Sequence, residues 1–391
     1  MERDDFKIKG KISMIDFSVF ETPCFVVDEV LLKKNLEILS YIQRETSAKI
    51  LLALKSFSMY CTGDLVKQYL AGTCASSPHE ARLGKEKFGG EVHSFAAAYS
   101  NKDFDELITL SDHIVFNSIS QYERFKHKLK ANIDRIKFGL RINPEHREVD
   151  TEIYDPCAQY SRLGITRKNF PDKLPEYISG LHFHTLCENN SDSLERTIKA
   201  VEEKFGKFLS ECEWVNFGGG HHITRNDYDI DLLIKIINDF KKKYNVDIFL
   251  EPGEAVALNT GFLVSTVLDI IDNNKNIAIL DTSAATHMPD VIEMPYRPFI
   301  IDSEQPNVLP YTYRLGGLSC LAGDIIGEYS FNKPLNIGDR LVFTDMGHYT
   351  MVKTNTFNGV KLPDIYYVNS ESKEILHRKS FGYNDFLERL S

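Results

Sequence analysis

Ile50-Leu51-Leu52-Ala53-Leu54-Lys55-Ser56-Phe57 decides how the rest of the chain is read. An apolar run of strand length ends abruptly in a lysine. Such a run suits a strand buried on both faces, as in a parallel barrel or sheet. Lys55 would then stand at the strand's C-terminal end, where these folds build active sites. Desolvated there, a lysine becomes a nucleophile for carbonyls. Left in water, it is an ordinary strand-end charge.

The same pattern extends outward. From Pro23 to about Glu251, short β-rich runs alternate with amphipathic stretches. The runs fall at 49–54, 72–76, 91–96, 113–117, 137–142, 179–184, 214–217 and 247–251, with helical patterns between them. Eight strands alternating with helices predict an α/β fold, a (β/α)8 barrel. An open doubly wound sheet is the runner-up, and the strand count favours the barrel. After Gly261 turn residues become frequent and long helices few. We therefore read 22–261 as the barrel domain and 262–391 as a mostly β domain, which 1–21 can join.

A chain of 391 residues exceeds the usual single core, in agreement with two domains. The seven cysteines are scattered, with no CxxC pair, so neither a zinc site nor a disulfide framework is expected. Net charge is −10, without the basic stripe that nucleic acid requires, and it suits a cationic substrate. No apolar run approaches the roughly 20 residues of a membrane span. Met1-Glu2-Arg3-Asp4-Asp5 places charges where a signal peptide needs apolar residues, so a cytoplasmic protein is expected.

Four features fall where a barrel enzyme needs them. Lys55 ends the first strand. Gly180-Leu181-His182-Phe183-His184 ends the sixth, with His182 and His184 on one face by alternation. Two such histidines can bind metal or stack on an aromatic ligand; no third ligand has metal spacing, so stacking is favoured and no metal is expected. Asn216-Phe217-Gly218-Gly219-Gly220 closes the seventh strand. Three glycines there make either a plain loop or an anion cradle of backbone N–H groups. Leu250-Glu251-Pro252-Gly253-Glu254 ends the eighth. A carboxylate at Glu251 can keep a pyridine nitrogen protonated, as an electron-sink cofactor requires. Pyridoxal 5′-phosphate uses all four features.

With these residues assembled, the chain resembles the barrel-type pyridoxal-phosphate decarboxylases, which include the diaminopimelate and ornithine decarboxylases and share the alanine racemase fold. Within that group it is most similar to the carboxynorspermidine (carboxyspermidine) decarboxylases. The resemblance runs from Thr22-Pro23 to Phe357-Asn358-Gly359 and includes His287-Met288-Pro289-Asp290 and Cys320-Leu321-Ala322-Gly323-Asp324. It implies that Lys55 carries the cofactor, His184 stacks on its ring and Gly218, Gly219 and Gly220 hold its phosphate. Glu251 would meet the ring nitrogen and Tyr349 the phosphate. It further implies a homodimer in which Cys320 and Asp324 reach into the partner's site.

The departures from the wider group bear on substrate. Glu254 stands where that group has an arginine near the phosphate, with Arg141 and Arg162 as candidate substitutes. Met288 replaces an arginine used for a distal carboxylate, and Leu321 replaces an acidic residue. Glu254 and Asp290, with Glu188 and Glu293 as weaker candidates, suit distal ammonium groups. The resemblance therefore implies decarboxylation of a cationic carboxy-polyamine, with the proton returned by Cys320 or Lys55. Decarboxylation of diaminopimelate, lysine, arginine or ornithine is the alternative, and a non-catalytic cofactor-binding regulator a further one.

Overall fold

The computed structural model describes residues 15–391; the charged Met1–Asp5 stretch and positions 1–14 of the 1–21 segment lie outside them. The chain divides into two units, one of Lys34–Val256 and one that joins the residues up to Lys33 with Ala257–Ser391.

Strand β1 (Cys24–Asp28) falls in the second of these, and the strands that follow build the first. They are β2 (Lys49–Ala53), β3 (Gly72–Ala75), β4 (Glu91–Phe95), β5 (His113–Phe116), β6 (Lys137–Asn143), β7 (Ile165–Thr166), β8 (Ile178–His182), β9 (Trp214–Asn216) and β10 (Asp247–Leu250). Pairing runs β5-β4-β3-β2-β10-β9-β8-β6, and a β5–β6 ladder closes the ring. All of these ladders are parallel. The eight expected strands are all present, and the open-sheet alternative falls away. Helices between them start at polar caps: Ser77, Ser100, Ser118 and Asp229 each accept a backbone N–H from the following turn.

The single tryptophan sets the interior geometry. Trp214 packs with Leu51, Val115 and Phe249. Its strand neighbour is Gly180, whose own neighbour on β6 is Gly139. A Cβ at Gly180 would sit 2.1 Å from the indole, and one at Gly139 2.4 Å. The ring lies flat on two strands because both lack a side chain there.

The second unit is a nine-stranded sheet built on β1 with β11 (Gly261–Asp272), β12 (Asn276–Leu280), β13 (Ser303–Glu304), β14 (Tyr311–Gly316), β15 (Ile325–Phe331), β16 (Arg340–Thr344), β17 (Asp364–Asn369) and β18 (Glu374–Lys379). β1 lies inside the 22–261 stretch read as barrel, yet it pairs with β11 and β17. The reason is an alternating face: Cys24 and Val26 share one apolar cluster with Phe262, Val264, Tyr366 and Val368. The mostly β character expected of 262–391 is present, with only short α-helices such as Ala284–His287 and Asp290–Glu293. All seven cysteines are free thiols. Among the described residues no helix is long and apolar enough to cross a membrane.

Candidate active site

The C-terminal ends of β2, β8, β9 and β10 bring the sequence-derived groups of the barrel together. Lys55 lies in the turn after β2. Of the two readings left open for it, desolvated or in water, the structure shows it exposed, in the turn that follows the strand. Its charge nevertheless acts on Cys74, Glu80, His182, His184 and Cys187.

His182 and His184 converge with Glu251, all three offering ligand atoms within 4.8 Å of one another. Sequence spacing had shown no third group beside the histidines; Glu251 arrives from the far end of β10. Its carboxylate is buried, accepts a hydrogen bond from Asn216 Nδ2 at 2.7 Å and lies 3.4 Å from His182 Nε2. Burial alone would push the carboxyl up, but His182 and Asn216 outweigh it and hold the carboxyl down to about 2. Burial drives His184 well below its ordinary range, and the Lys55 and Arg141 charges add to this. The neutral ring accepts the Gly219 N–H at Nδ1, 3.2 Å away, which leaves its proton on Nε2. Neither ring nitrogen then has a lone pair to give a metal, whereas the ring face can stack.

The glycine loop is held by the same residues. Gly218 and Gly220 have positive φ, +71° and +80°, and a Cβ on Gly220 would lie 1.9 Å from the Leu186 carbonyl. Only glycine passes through that gap in that conformation. Gly218 N–H donates to Asn216 Oδ1 at 2.8 Å, and Gly218 O accepts from Glu251 N at 2.7 Å. Arg141, weighed as a phosphate partner, is buried on β6; it donates to His184 O at 3.0 Å and lies 4.6 Å over the Phe95 ring. Its placed contacts fix His184. Arg162 is exposed.

Glu254 begins the turn after Gly253, with Oε1 3.2 Å from His222 Nε2. Glu188, in the loop after β8, joins them in a second cluster of ligand atoms within 4.8 Å.

The remaining candidates belong to the β-rich unit. Cys320 is exposed in the loop between β14 and β15, its N–H donating to Asn358 Oδ1 at 2.8 Å. Asp324, which the resemblance implies reaches into a partner's site, is enclosed within its own chain. It is 3% exposed and accepts from Ser283 Oγ at 2.7 Å, Ser319 Oγ at 2.6 Å, Ser319 N at 3.1 Å and Ala285 N at 3.3 Å. The Ser319 bonds tie it to the loop that carries Ser319 and Cys320. Asp290 is also occupied: Lys353 pairs with it and, at 3.2 Å, with Glu293. Tyr349 is half-buried with φ +45° beside His348.

Asn216, His222, Arg225 and Glu80 were not singled out in the sequence. A polar residue on a buried strand is itself a signal, since an unpaired amide there is costly, and Asn216 carried it. Glu80, raised by burial, accepts the Ser76 N–H at 2.6 Å, a partnership a helix-start carboxylate often makes. His222 and Arg225 show their meaning only beside residues from other loops.

Pyridoxal phosphate fits this set. A lysine, a flat neutral imidazole, a glycine loop and a buried ionised carboxylate match its carbonyl, ring, phosphate and ring nitrogen in kind. Ser56 Oγ and both His182 ring nitrogens are buried without a hydrogen-bond partner, as in a site that a polar ligand completes.

Comparison with known proteins gives the same direction. The family model "Pyridoxal-dependent decarboxylase, C-terminal sheet domain" matches residues 24–347. The chain is 43% identical over 381 residues to carboxynorspermidine/carboxyspermidine decarboxylase of Campylobacter jejuni, covering 95% of this chain and 98% of that protein. It is 44% identical over 375 residues to carboxyaminopropylagmatine decarboxylase of a Synechocystis species, covering 95% and 96%. The crystal structure of Campylobacter jejuni carboxynorspermidine decarboxylase complexed with norspermidine superposes with a TM-score of 0.87 at 41% identity, covering 95% of this chain and 100% of that one.

Proposed function

The chain belongs to the pyridoxal-dependent decarboxylases, carboxy-lyases whose cofactor is pyridoxal 5′-phosphate, and from that premise we propose that it decarboxylates carboxynorspermidine and/or carboxyspermidine. The products are norspermidine or spermidine and carbon dioxide, in polyamine biosynthesis. The observation that carries this reading is the nearly full-length similarity to the Campylobacter jejuni enzyme.

When bound, pyridoxal phosphate supplies the sink for the electron pair left as the carboxylate departs. The chain's own residues do the rest. Lys55 is the amine that would hold the cofactor, and the Gly218–Gly220 amides would take its phosphate. Glu251 stays ionised in a buried site and so can keep a ring nitrogen protonated. His184, tethered at Nδ1, offers its face to the ring. Glu254 and Glu188 present carboxylates for the cationic part of the substrate. Cys320, exposed on its loop, or Lys55 returns a proton to the α-carbon. This reading takes the protein as a cytoplasmic homodimer with Cys320 serving the partner's site; seven free thiols suit a reducing compartment.

A second reading rests on the Synechocystis relative: a substrate ending in guanidinium, carboxyaminopropylagmatine. Carbon dioxide release by the cofactor-loaded protein separates the two. The panel is carboxynorspermidine, carboxyspermidine, carboxyaminopropylagmatine, meso-diaminopimelate, L-lysine, L-arginine and L-ornithine. Highest kcat/KM on the first two supports the proposal. Highest kcat/KM on the guanidinium substrate, or on one of the four amino acids, none of which has the internal secondary amine of a carboxy-polyamine, replaces it. Silence on all seven would leave a cofactor-binding regulator.

A further inference from the structure

Behind Glu254 lies a relay that the decarboxylation chemistry does not use. Three loops at the barrel mouth contribute: Glu188 after β8, His222 and Arg225 after the glycine loop, and Glu254 after β10. They are tied to one another through the backbone. Asn189 N–H donates to Gly220 O at 3.0 Å, and His222 N–H to Asn189 O at 3.1 Å. Thr224 Oγ1 donates to Ala255 O at 2.6 Å, anchoring the second loop to the Glu254 turn. Glu188 itself sits at φ +56°, a conformation a non-glycine residue adopts only where its surroundings impose it.

The hydrogen bonds define the histidine. Arg225 Nη1 donates to Glu188 O at 3.1 Å and lies 3.3 Å from His222 Nδ1. A guanidinium has donors only, so Nδ1 must accept and the ring proton sits on Nε2. That nitrogen is 3.2 Å from Glu254 Oε1, in a side chain 5% exposed, yet it is not aligned as a hydrogen bond. His222 thus aims a buried, unpartnered N–H at the edge of the carboxylate. The protonated nitrogen has no lone pair, so the Glu188, His222 and Glu254 cluster is a poor metal site despite its spacing. Two carboxylates clustered beside a donor instead match a ligand rich in N–H groups and positive charge.

We infer that His222, its tautomer set by Arg225, is a positioning residue that orients Glu254 toward a cationic nitrogen of the substrate, with Glu188 closing the same subsite. The inference rests on the carboxy-polyamine reading. His222 contacts the carboxylate, not the reacting carbon, so its effect falls on affinity.

The test is titration of the cofactor-loaded protein with norspermidine by calorimetry, alongside steady-state kinetics on carboxynorspermidine. His222→Phe keeps the ring but removes the donor; His222→Gln keeps a donor near Nε2. We expect His222→Phe to weaken norspermidine binding and raise KM by about tenfold, the scale of one charge-assisted hydrogen bond, with kcat falling far less. His222→Gln should recover most of the affinity. Glu188→Gln should weaken binding similarly and serves where His222→Phe does not fold. Wild-type affinity in both His222→Phe and Glu188→Gln overturns the inference, as does a loss confined to kcat or to cofactor binding. A zinc-dependent change in norspermidine affinity, reversed by a chelator, also overturns it by making the cluster a metal site. If the wild-type protein neither binds norspermidine nor acts on carboxynorspermidine, the functional reading itself fails.

Discussion

Asn216 holds Glu251 from one end of its amide and the glycine loop from the other. Nδ2 donates to Glu251 Oε1 at 2.7 Å, and Oδ1 accepts the Gly218 N–H at 2.8 Å. One strand-end residue therefore couples the groups assigned to the cofactor's ring nitrogen and phosphate.

Asn216→Ala should break both links. A hydrogen bond to a charged group is worth about 1.5–3 kcal/mol, so cofactor affinity should fall by at least about tenfold, with kcat reduced as well. Equilibrium dialysis against pyridoxal phosphate, with turnover at saturating cofactor, checks this. An unchanged dissociation constant would show that the two links are incidental to binding.

Glu251 also leaves a signature in stability. Its folded carboxyl lies at about 2, below the ordinary 4.5, so its contribution is fully present above pH 4.5 and is lost as the pH falls toward 2. Glu251→Gln should flatten the Tm-against-pH curve across that acid window and leave the slope above pH 5 unaltered. Matching acid slopes in the two proteins would mean that Glu251 is not held ionised by its neighbours.

Gly180→Ala tests the barrel interior. The added methyl would meet the Trp214 ring at 2.1 Å, and a flat indole packed among strands cannot turn aside. Overpacking of this kind costs about 1–3 kcal/mol, so Tm should drop by several degrees, with a shift in the emission of the chain's single tryptophan.

The same glycine shows what the sequence made legible. Gly180 stood in a quoted motif valued for its histidines, while its packing reason lay with Trp214 on the next strand. The barrel strands were readable from the regular alternation of short β-rich runs with amphipathic stretches, even where a strand such as β4, Glu91–Phe95, is not continuously apolar. Lys55, His184 and Glu251 were readable because each ends one of those runs. β1 fell inside the stretch read as barrel because four apolar residues, Cys24 to Val27, do not say which sheet they join. Whether Lys55 is desolvated is not legible from the sequence, because a strand end looks alike whether the mouth is open or closed. The partners of Asp324 and Asp290 were not legible, because Ser283 and Lys353 approach them from distant parts of the chain.

Cys320 makes the dimer testable. Lys55→Ala should abolish turnover and the absorbance of lysine-bound cofactor, and Cys320→Ala should lower kcat by about a hundredfold if it is the general acid. If Cys320 serves the partner's site, mixing the two variants should restore activity to about a quarter of wild type. Random re-pairing makes half the dimers mixed, and each mixed dimer has one intact site. No recovery after verified subunit exchange would place both residues in the same chain's site.

The acidic candidates for the substrate's distal charge differ in their surroundings, so mutation can separate them. Asp290 is already paired with Lys353 at a partly exposed position, where such a pair contributes about 0–1 kcal/mol. Asp290→Asn should change KM for carboxynorspermidine by less than about twofold, since the lysine opposes its charge at any ligand. Glu254 Oε1 instead lies 3.2 Å from His222 Nε2. Glu254→Gln removes the charge while keeping size, and should raise KM by about tenfold with a smaller change in kcat. The KM ratio of the two variants is the decisive quantity. A large effect at Asp290 with none at Glu254 would mean that Lys353 gives way when substrate binds, and the distal nitrogen would then belong to the other acid.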